Sequence, residues 1–312
     1  MLRKLYYLLA LSRERHFGRA AQKCHISQPT LSNAIRQLEQ DLGAPLVERG
    51  QRFVALTPEG ERVLEFARRA TADFEALTGA IDPRAGALTG RLRLAAIPTA
   101  LPTVAPLVAA FARRHPNVRV ILTSSSSQAI ERDLDRFDLD AGVTYLDNEP
   151  LSGVAMQPLY SERYYLLTQR GPEWEGRTEA TWTEAAALPL CLLTPDMQNR
   201  HIVDQAFRMA GKEVAPQVET NSIVNLFTMA RQGPWSSIVP GPLLALLPPG
   251  EALIALPLVM PDLAYVVGIV YADRSPPAAV AKALAQVAAQ EKLGEKIPAL
   301  MREALARHGI GD

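Results

Sequence analysis

SQPTLSNAIRQLEQDLG, residues 27–43, is the stretch whose reading decides the fold. Leu31, Ile35, Leu38 and Leu42 recur at spacings of four, three and four, the apolar stripe of a helix. Ser27 or Gln28 can cap its start, Pro29 suits a first helical turn and Gly43 can end it, so a helix is predicted over 29–41. The opposite side carries Thr30, Ser32, Asn33, Arg36 and Gln37. A shorter helix is predicted over about 18–24, where Ala20 and Ala21 allow close helix contact, and before it Leu2, Leu5, Leu8 and Leu9 share one apolar face. A short helix, a tight turn and a second helix with a polar outer side make a helix-turn-helix, and the major groove admits one such helix. Ser27, Gln28, Pro29, Thr30, Ser32, Asn33 and Arg36 are therefore candidate DNA contacts; Asn can pair with adenine and Arg with guanine. From spacing alone, a solvated face on a three-helix bundle explains the pattern equally well.

Residues 46–57, LVERGQRFVALT, read as a hairpin turning at Gly50-Gln51. Arg49 and Arg52 on it suit phosphate contacts, which position a protein on DNA without specifying sequence. Charge supports this. The 312 residues carry 33 Lys and Arg against 33 Asp and Glu, yet residues 1–58 hold nine basic and four acidic residues, a head of +5 on a body of −5. That asymmetry is expected of a nucleic-acid module joined to something else. A chain 48% hydrophobic and 21% charged is globular rather than disordered, collagen-like or disulfide-built. Arg13, Glu14 and Arg15 interrupt any signal peptide. The most membrane-like stretch, 253–272, contains Pro257, Pro261 and Asp262 and reads as two buried strands and a turn. Cys24 and Cys191 lie far apart and outside any metal-ligand spacing. The chain is expected to be cytoplasmic and reduced, with no membrane contact.

After Pro58 a long helix is predicted. Val63, Ala67, Ala70, Phe74, Leu77 and Ile81 alternate four and three apart, an a/d seam that a globular helix face also explains. The Gly- and Ala-rich segment 82–90 reads as a hinge. From Arg91 the pattern becomes strand 92–97, helix 104–114, strand 118–123, helix 128–137 and strand 141–145, with a further strand at 164–168. A second set follows: strand 188–193, helix 199–210, strand 215–220, helix 222–232 and strand 236–239; a late strand at 265–271 and helices after Pro277 close the chain. Alternating strands and helices imply parallel sheets, here in two lobes with a ligand cleft at their junction.

Open α/β sheets bind ligands at the carboxyl ends of strands. Thr99 and the run Ser125, Ser126 and Ser127 stand there, at helix entries whose free amides favour an anion. Read as caps only, they need no ligand. Thr194, Asn199, Arg200 and Asn221 occupy comparable places in the second set, and Arg200 could equally be a surface helix residue. Tyr145 ends a strand, where cleft and core are both open to it.

Residues 16–58, with FGRAA, SQPTLSNAIRQLEQDLG, PLVERG and the adjoining LTPEG, resemble the winged helix-turn-helix of LysR-type transcriptional regulators. GRLRLAAIP, LVAAFARRHPNVRV and FDLDAGV extend the resemblance along the chain. It implies an α/β protein with an all-α head: a winged helix-turn-helix DNA-binding domain (1–58), a dimerising linker helix and hinge (59–90), and a two-lobed effector module like a periplasmic binding protein (91–312). The lobes would be about 91–163 plus 269–312, and about 164–268. It further implies that Thr99 and Ser127 line the effector cleft, a homodimer or homotetramer on double-stranded DNA, and contact with RNA polymerase. No cofactor is expected beyond a small effector. LLTPDMQNR, residues 192–200, is similar to regulators placed beside formate dehydrogenase operons, so the expected effector is a short carboxylate such as formate. The tail 297–312 is longer than the resemblance implies.

The sequence holds no G-x-S-x-G, H-E-x-x-H, Walker loop or G-x-G-x-x-G, and His16, His25, His115, His201 and His308 are scattered, so no catalytic residue is assigned. A solute-binding protein or an enzyme on the same two-lobed fold would explain the body but not the basic head.

Overall fold

A computed structural model describes residues 1–49, 53–81, 88–147, 151–247, 252–273 and 278–307. The chain divides into two compact units: Met1–Gly86 with the short segments Asp135–Asp138 and Ser275–Ala279, and a second made of Ala87–Leu134, Leu139–Arg274 and Val280–Asp312.

The first unit contains α1 (Leu2–Glu14), α2 (Phe17–Lys23), α3 (Gln28–Leu42), the antiparallel hairpin β1 (Val47–Arg49) and β2 (Phe53–Leu56), and α4 (Pro58–Ile81). α2 begins where His16 Nδ1 accepts from the amides of Gly18 (3.1 Å) and Arg19 (3.3 Å), satisfying two donors at the helix start. His16→Ala should remove this cap and cost about 1 kcal/mol of unit stability; a lowered urea midpoint is the readout, and an unchanged one would show the cap to be idle. α3 is one residue longer at each end than expected. Ser27 Oγ accepts from the Thr30 amide, and Gly43 closes the helix at φ 68°. Leu8, Leu11, Ala20, Ala21, Leu31, Ile35, Leu38, Leu46, Leu64 and Ala67 form one core.

One expectation needs correction. Leu42 is 44% exposed, because the last turn of α3 runs past that core. On α4, Ala67 is buried, and Phe74 on the expected seam and Phe66 off it are exposed. The side chains of Leu77 and Ile81, the hairpin turn with Arg52, and hinge residues 82–87 lie outside the described residues.

In the second unit, β3 (Gly90–Ala96), α5 (Leu101–Arg114), β4 (Val118–Ser124), α6 (Ser127–Asp135) and β5 (Ala141–Tyr145) give the expected parallel pattern. Then come β6 (Val154–Gln169), β7 (Ala180–Thr181), α7 (Trp182–Ala185), β8 (Cys191–Leu193), α8 (Gln198–Met209), β9 (Val218–Thr220), α9 (Ile223–Gln232), β10 (Ser237–Pro240), β11 (Leu253–Val259), β12 (Ala264–Ala272), α10 (Ala279–Gln290) and α11 (Leu293–Arg307). The main sheet has the order β4-β3-β5-β12-β6-β11-β7, with β10 also on β6. β8 and β9 pair in parallel by themselves, and a single bridge, Leu190 to Ser236, ties them toward β10.

The largest departure from expectation is β6. A short strand at 164–168 was expected; the observed strand has 16 residues and serves both halves of the unit. β12 pairs with it from Val154 to Arg163, and β10 and β11 from Tyr164 onward. Pro158 hides the first half from a propensity reading. It is tolerated because it lies opposite Gly268, where the β12 register shifts. The expected membrane-like stretch is β11, a turn and β12. Among the described residues no helix is long and apolar enough to cross a membrane. α11 accounts for most of the tail: Leu293 and Ile297 join the larger hydrophobic cluster and Leu305 the smaller.

Candidate functional site

The first unit presents a polar face on α3. Gln28, Pro29, Thr30, Asn33, Arg36 and Gln37 are exposed and Ser32 half-buried, while Leu31, Ile35 and Leu38 point into the core. The Thr30 hydroxyl is tied to Ser27 Oγ at 2.8 Å, and Arg36 Nη1 reaches Asn33 Oδ1 at 3.5 Å, a loose contact that both side chains can leave. Behind them, Glu39 Oε1 accepts from the amides of Leu46 (3.0 Å) and Val47 (3.3 Å), which fixes the hairpin against α3. Lys4 Nζ to Asp41 at 2.7 Å fixes α1. Arg49 lies on β1, and Arg52 lies outside the described residues. One helix thus offers donors and acceptors outward from a braced base, the requirement for reading base edges.

The second unit holds a small cavity lined by Ile97, Pro98, Thr99, Ser126, Ser127, Tyr145, Leu193, Met197, Gln198 and Asn199. Its walls come from the carboxyl ends of β3, β4, β5 and β8, all strands in parallel pairings. The turn Pro98–Ala100 that leads into α5, and the starts of α6 and α8, bring three helix beginnings to it. Ser127 Oγ accepts from Thr144 Oγ1 at 3.0 Å, so its own proton is left to donate. Asn199 Nδ2 donates to the hydroxyls of Tyr145 and Tyr164, 3.4 Å each, and Thr99 Oγ1 lies 3.5 Å from the Tyr145 hydroxyl. His201 Nδ1 meets Gln198 Oε1 at 3.0 Å and orients that amide. The set is rich in donors and poor in charge.

Of the residues expected here, Thr99, Ser126, Ser127, Tyr145 and Asn199 come together. Ser125 and Thr194 stand outside the lining, and the Thr194 hydroxyl is buried without a hydrogen-bond partner among the described residues. Asn221 is exposed, before α9. Arg200 is also outside. Its guanidinium donates to Asp204 (2.8 Å), Glu219 (2.7 Å) and the Leu193 carbonyl (2.9 Å), as a brace for the end of β8. Burial works against its charge, and the bonds to Asp204 and Glu219 outweigh burial and hold its pKa above the ordinary value.

Sequence reading missed Gln198 and, beneath the cavity, Glu162. The Tyr145 hydroxyl donates to Glu162 Oε1 at 2.6 Å, and Tyr164 stands 3.3 Å from Tyr145. Glu162 is fully buried. Burial raises its pKa to about 7; the hydroxyls of Tyr145, Tyr164 and Tyr160 partly offset this, and the charge of Asp147 adds to it. Burial, then the nearness of Glu162, pushes Tyr145 and Tyr160 well above the usual phenol range, and Tyr164 is raised by burial, then by Tyr145 and Glu162. A signal existed: Tyr160, Glu162, Tyr164 and Leu166 share the inward phase of one strand. Both cysteines are free thiols whose pKa burial raises, Cys191 buried and Cys24 half-buried.

Residues 2–61 match the family described as bacterial regulatory helix-turn-helix protein, lysR family, and residues 85–292 the LysR substrate binding domain. The hydrogen peroxide-inducible genes activator of Escherichia coli O6:H1 is 29% identical over 284 residues, 88% of this chain and 90% of that one. A full-length OxyR from Pseudomonas aeruginosa carrying a Cys-to-Asp substitution superposes with TM-score 0.74 at 25% identity, over 92% of this chain and 97% of that one. Full-length CbnR solved with its target DNA shares the fold, with TM-score 0.65 at 22% identity over 93% and 99%. These relatives are regulators of transcription, not enzymes, and they give no support to formate as the effector. With both family models matched in order along one polypeptide, the chain belongs to the LysR family of bacterial helix-turn-helix regulators.

Proposed function

We propose that this regulator reads its operator through the outer face of α3 and is switched by a small anion bound reversibly in the cavity of the second unit. The observation that carries the anion is the convergence of three helix beginnings with the Ser127 and Gln198 donors on one small space. The chain would act in the cytoplasm as a homodimer or homotetramer, with RNA polymerase as a partner. Residues 1–58 bind DNA, 59–90 form the dimerising helix and hinge, and 91–312 the effector module. The partner change on β6 supports a lobe boundary between Arg163 and Tyr164, and because β12 pairs with the first half from Ala264, the return to the first lobe belongs nearer 264 than 269. A ligand that prefers one arrangement of the lobes shifts the population, and with it the DNA-bound state.

The peroxide in a relative's name suggests a different trigger. A peroxide-reactive thiol must ionise easily and be reachable. Cys191 is buried in β8 and Cys24 sits in the DNA-binding unit, both with raised pKa. We therefore favour reversible binding over thiol oxidation.

Asn33→Ala or Arg36→Ala should cost about 1–3 kcal/mol on the specific site and little on random duplex, while Arg52→Ala should weaken both and lower the salt slope by about one. Mobility-shift titrations at several salt concentrations, on the DNA upstream of the gene and on scrambled duplex, test this. Equal losses for Asn33→Ala on both duplexes would refute base reading.

A further inference from the structure

The polarity of the cavity turns on one proton. Glu162 is fully buried on β6; its Oε1 accepts from Tyr145, and its Oε2 has no hydrogen-bond partner among the described residues. A buried carboxylate oxygen left unpaired makes the ionised form costly. Tyr145 has a single proton to give. While that proton goes to Glu162, Tyr145 turns lone pairs toward Asn199 and Thr99, at the cavity. A site otherwise made of donors then contains one acceptor facing any anion. A proton on Glu162 reverses this: the carboxylic acid can donate its one proton to the Tyr145 hydroxyl, and Tyr145 can aim its own proton into the cavity.

We infer that Glu162 is a positioning residue that couples anion binding to the uptake of one proton, setting Tyr145 as a donor to the bound anion. The proton comes from solvent to the Glu162 carboxylate, so anion and proton enter together and the buried charge stays constant. This rests on the anion reading above. Of the groups facing Glu162, the tyrosine hydroxyls favour the ionised form, and burial outweighs them. Tyr160 and Tyr164 flank it on its own strand, Tyr145 faces it from β5, and Tyr265 from β12 packs edge-on against the rings of Tyr145 and Tyr164. The charge acting on it is that of Asp147, which also favours the protonated form.

The test is calorimetric titration of the full-length protein with sodium nitrate, whose charge is constant in this range, at about pH 6 and about pH 8, in buffers of different ionisation heat. Above the Glu162 midpoint nitrate affinity should fall by up to about tenfold per pH unit, with about one proton taken up per anion. Glu162→Gln should bind nitrate with no pH dependence and no uptake, and Tyr145→Phe should lose affinity and most of the linkage. Wild-type binding without pH dependence, or the same dependence in Glu162→Gln, overturns the inference and leaves the anion reading standing. No nitrate binding at either pH overturns both. Should Glu162→Gln fail to fold, the infrared carbonyl band of a protonated carboxyl, gained by the wild type on adding nitrate at about pH 8, reads the same proton; its absence overturns the inference.

Discussion

Gly60→Ala is expected to destabilise the first unit by about 3 kcal/mol or more and to abolish operator binding. Gly60 lies in the first turn of α4, and a Cβ there would fall on the backbone carbonyl of Leu46. The surroundings are pinned. The Thr57 hydroxyl donates to the Pro45 carbonyl at 2.7 Å and accepts from the Gly60 amide at 2.9 Å, while the Thr57 amide donates to Leu46 O. Leu46 in turn is held to α3 through Glu39. Neither side can give way without disturbing the base on which the polar face of α3 rests. Urea unfolding and a mobility shift would both report the loss. Arg62→Ala, two residues on and exposed, should stay within about 0.5 kcal/mol. An unchanged midpoint for Gly60→Ala would mean that α4 does not rest on Leu46.

Trp182→Ala is expected to cost the second unit about 3–5 kcal/mol. The ring is fully buried, perpendicular to Phe207 with centroids 5.2 Å apart, and its Nε1 donates to the Pro261 carbonyl at 2.9 Å. Removing it opens a cavity and strands that carbonyl. Its other neighbour, Tyr164 at 6.2 Å, accepts from Asn199 at the ligand cavity, so anion affinity should fall as well. Trp182→Phe should recover much of the stability but not the bond to Pro261. Chemical denaturation of the three proteins would show the order, and equal midpoints for wild type and Trp182→Ala would refute it.

The elements most legible in the sequence were those whose signal is local. The α3 stripe through Leu31, Ile35 and Leu38, its Ser27 start and its Gly43 stop follow from helix period and capping and are observed, while Leu42 falls outside the core. The parallel β3, β4 and β5 announced themselves as apolar runs between amphipathic helices. Thr99, Ser126, Ser127 and Asn199 were legible as polar residues at strand-to-helix junctions, which is where the cavity forms. What stayed hidden depends on partners distant in sequence. Pro158 and Arg163 disguise β6, whose long pairing with β12 is visible only when both strands are in place. Arg200 read as a ligand contact because, although Asp204 is one helical turn away on α8, its second carboxylate partner, Glu219, lies on β9 and is brought to it only by the fold. Glu162 looks like an ordinary charged residue until its alternation with Tyr160 and Tyr164 is seen to point inward.

The length of β6 also restricts how such a regulator can be re-engineered. Its two halves share one uninterrupted backbone, with β12 along the first and β10 and β11 along the second. A chimera that imports only one lobe from another protein must cut through this strand, leaving a row of unsatisfied amides and carbonyls open to intermolecular pairing. Grafts that change ligand preference should therefore exchange the loops at the strand ends, or the whole module from Gly90 onward, and chimeras joined within 154–169 should aggregate.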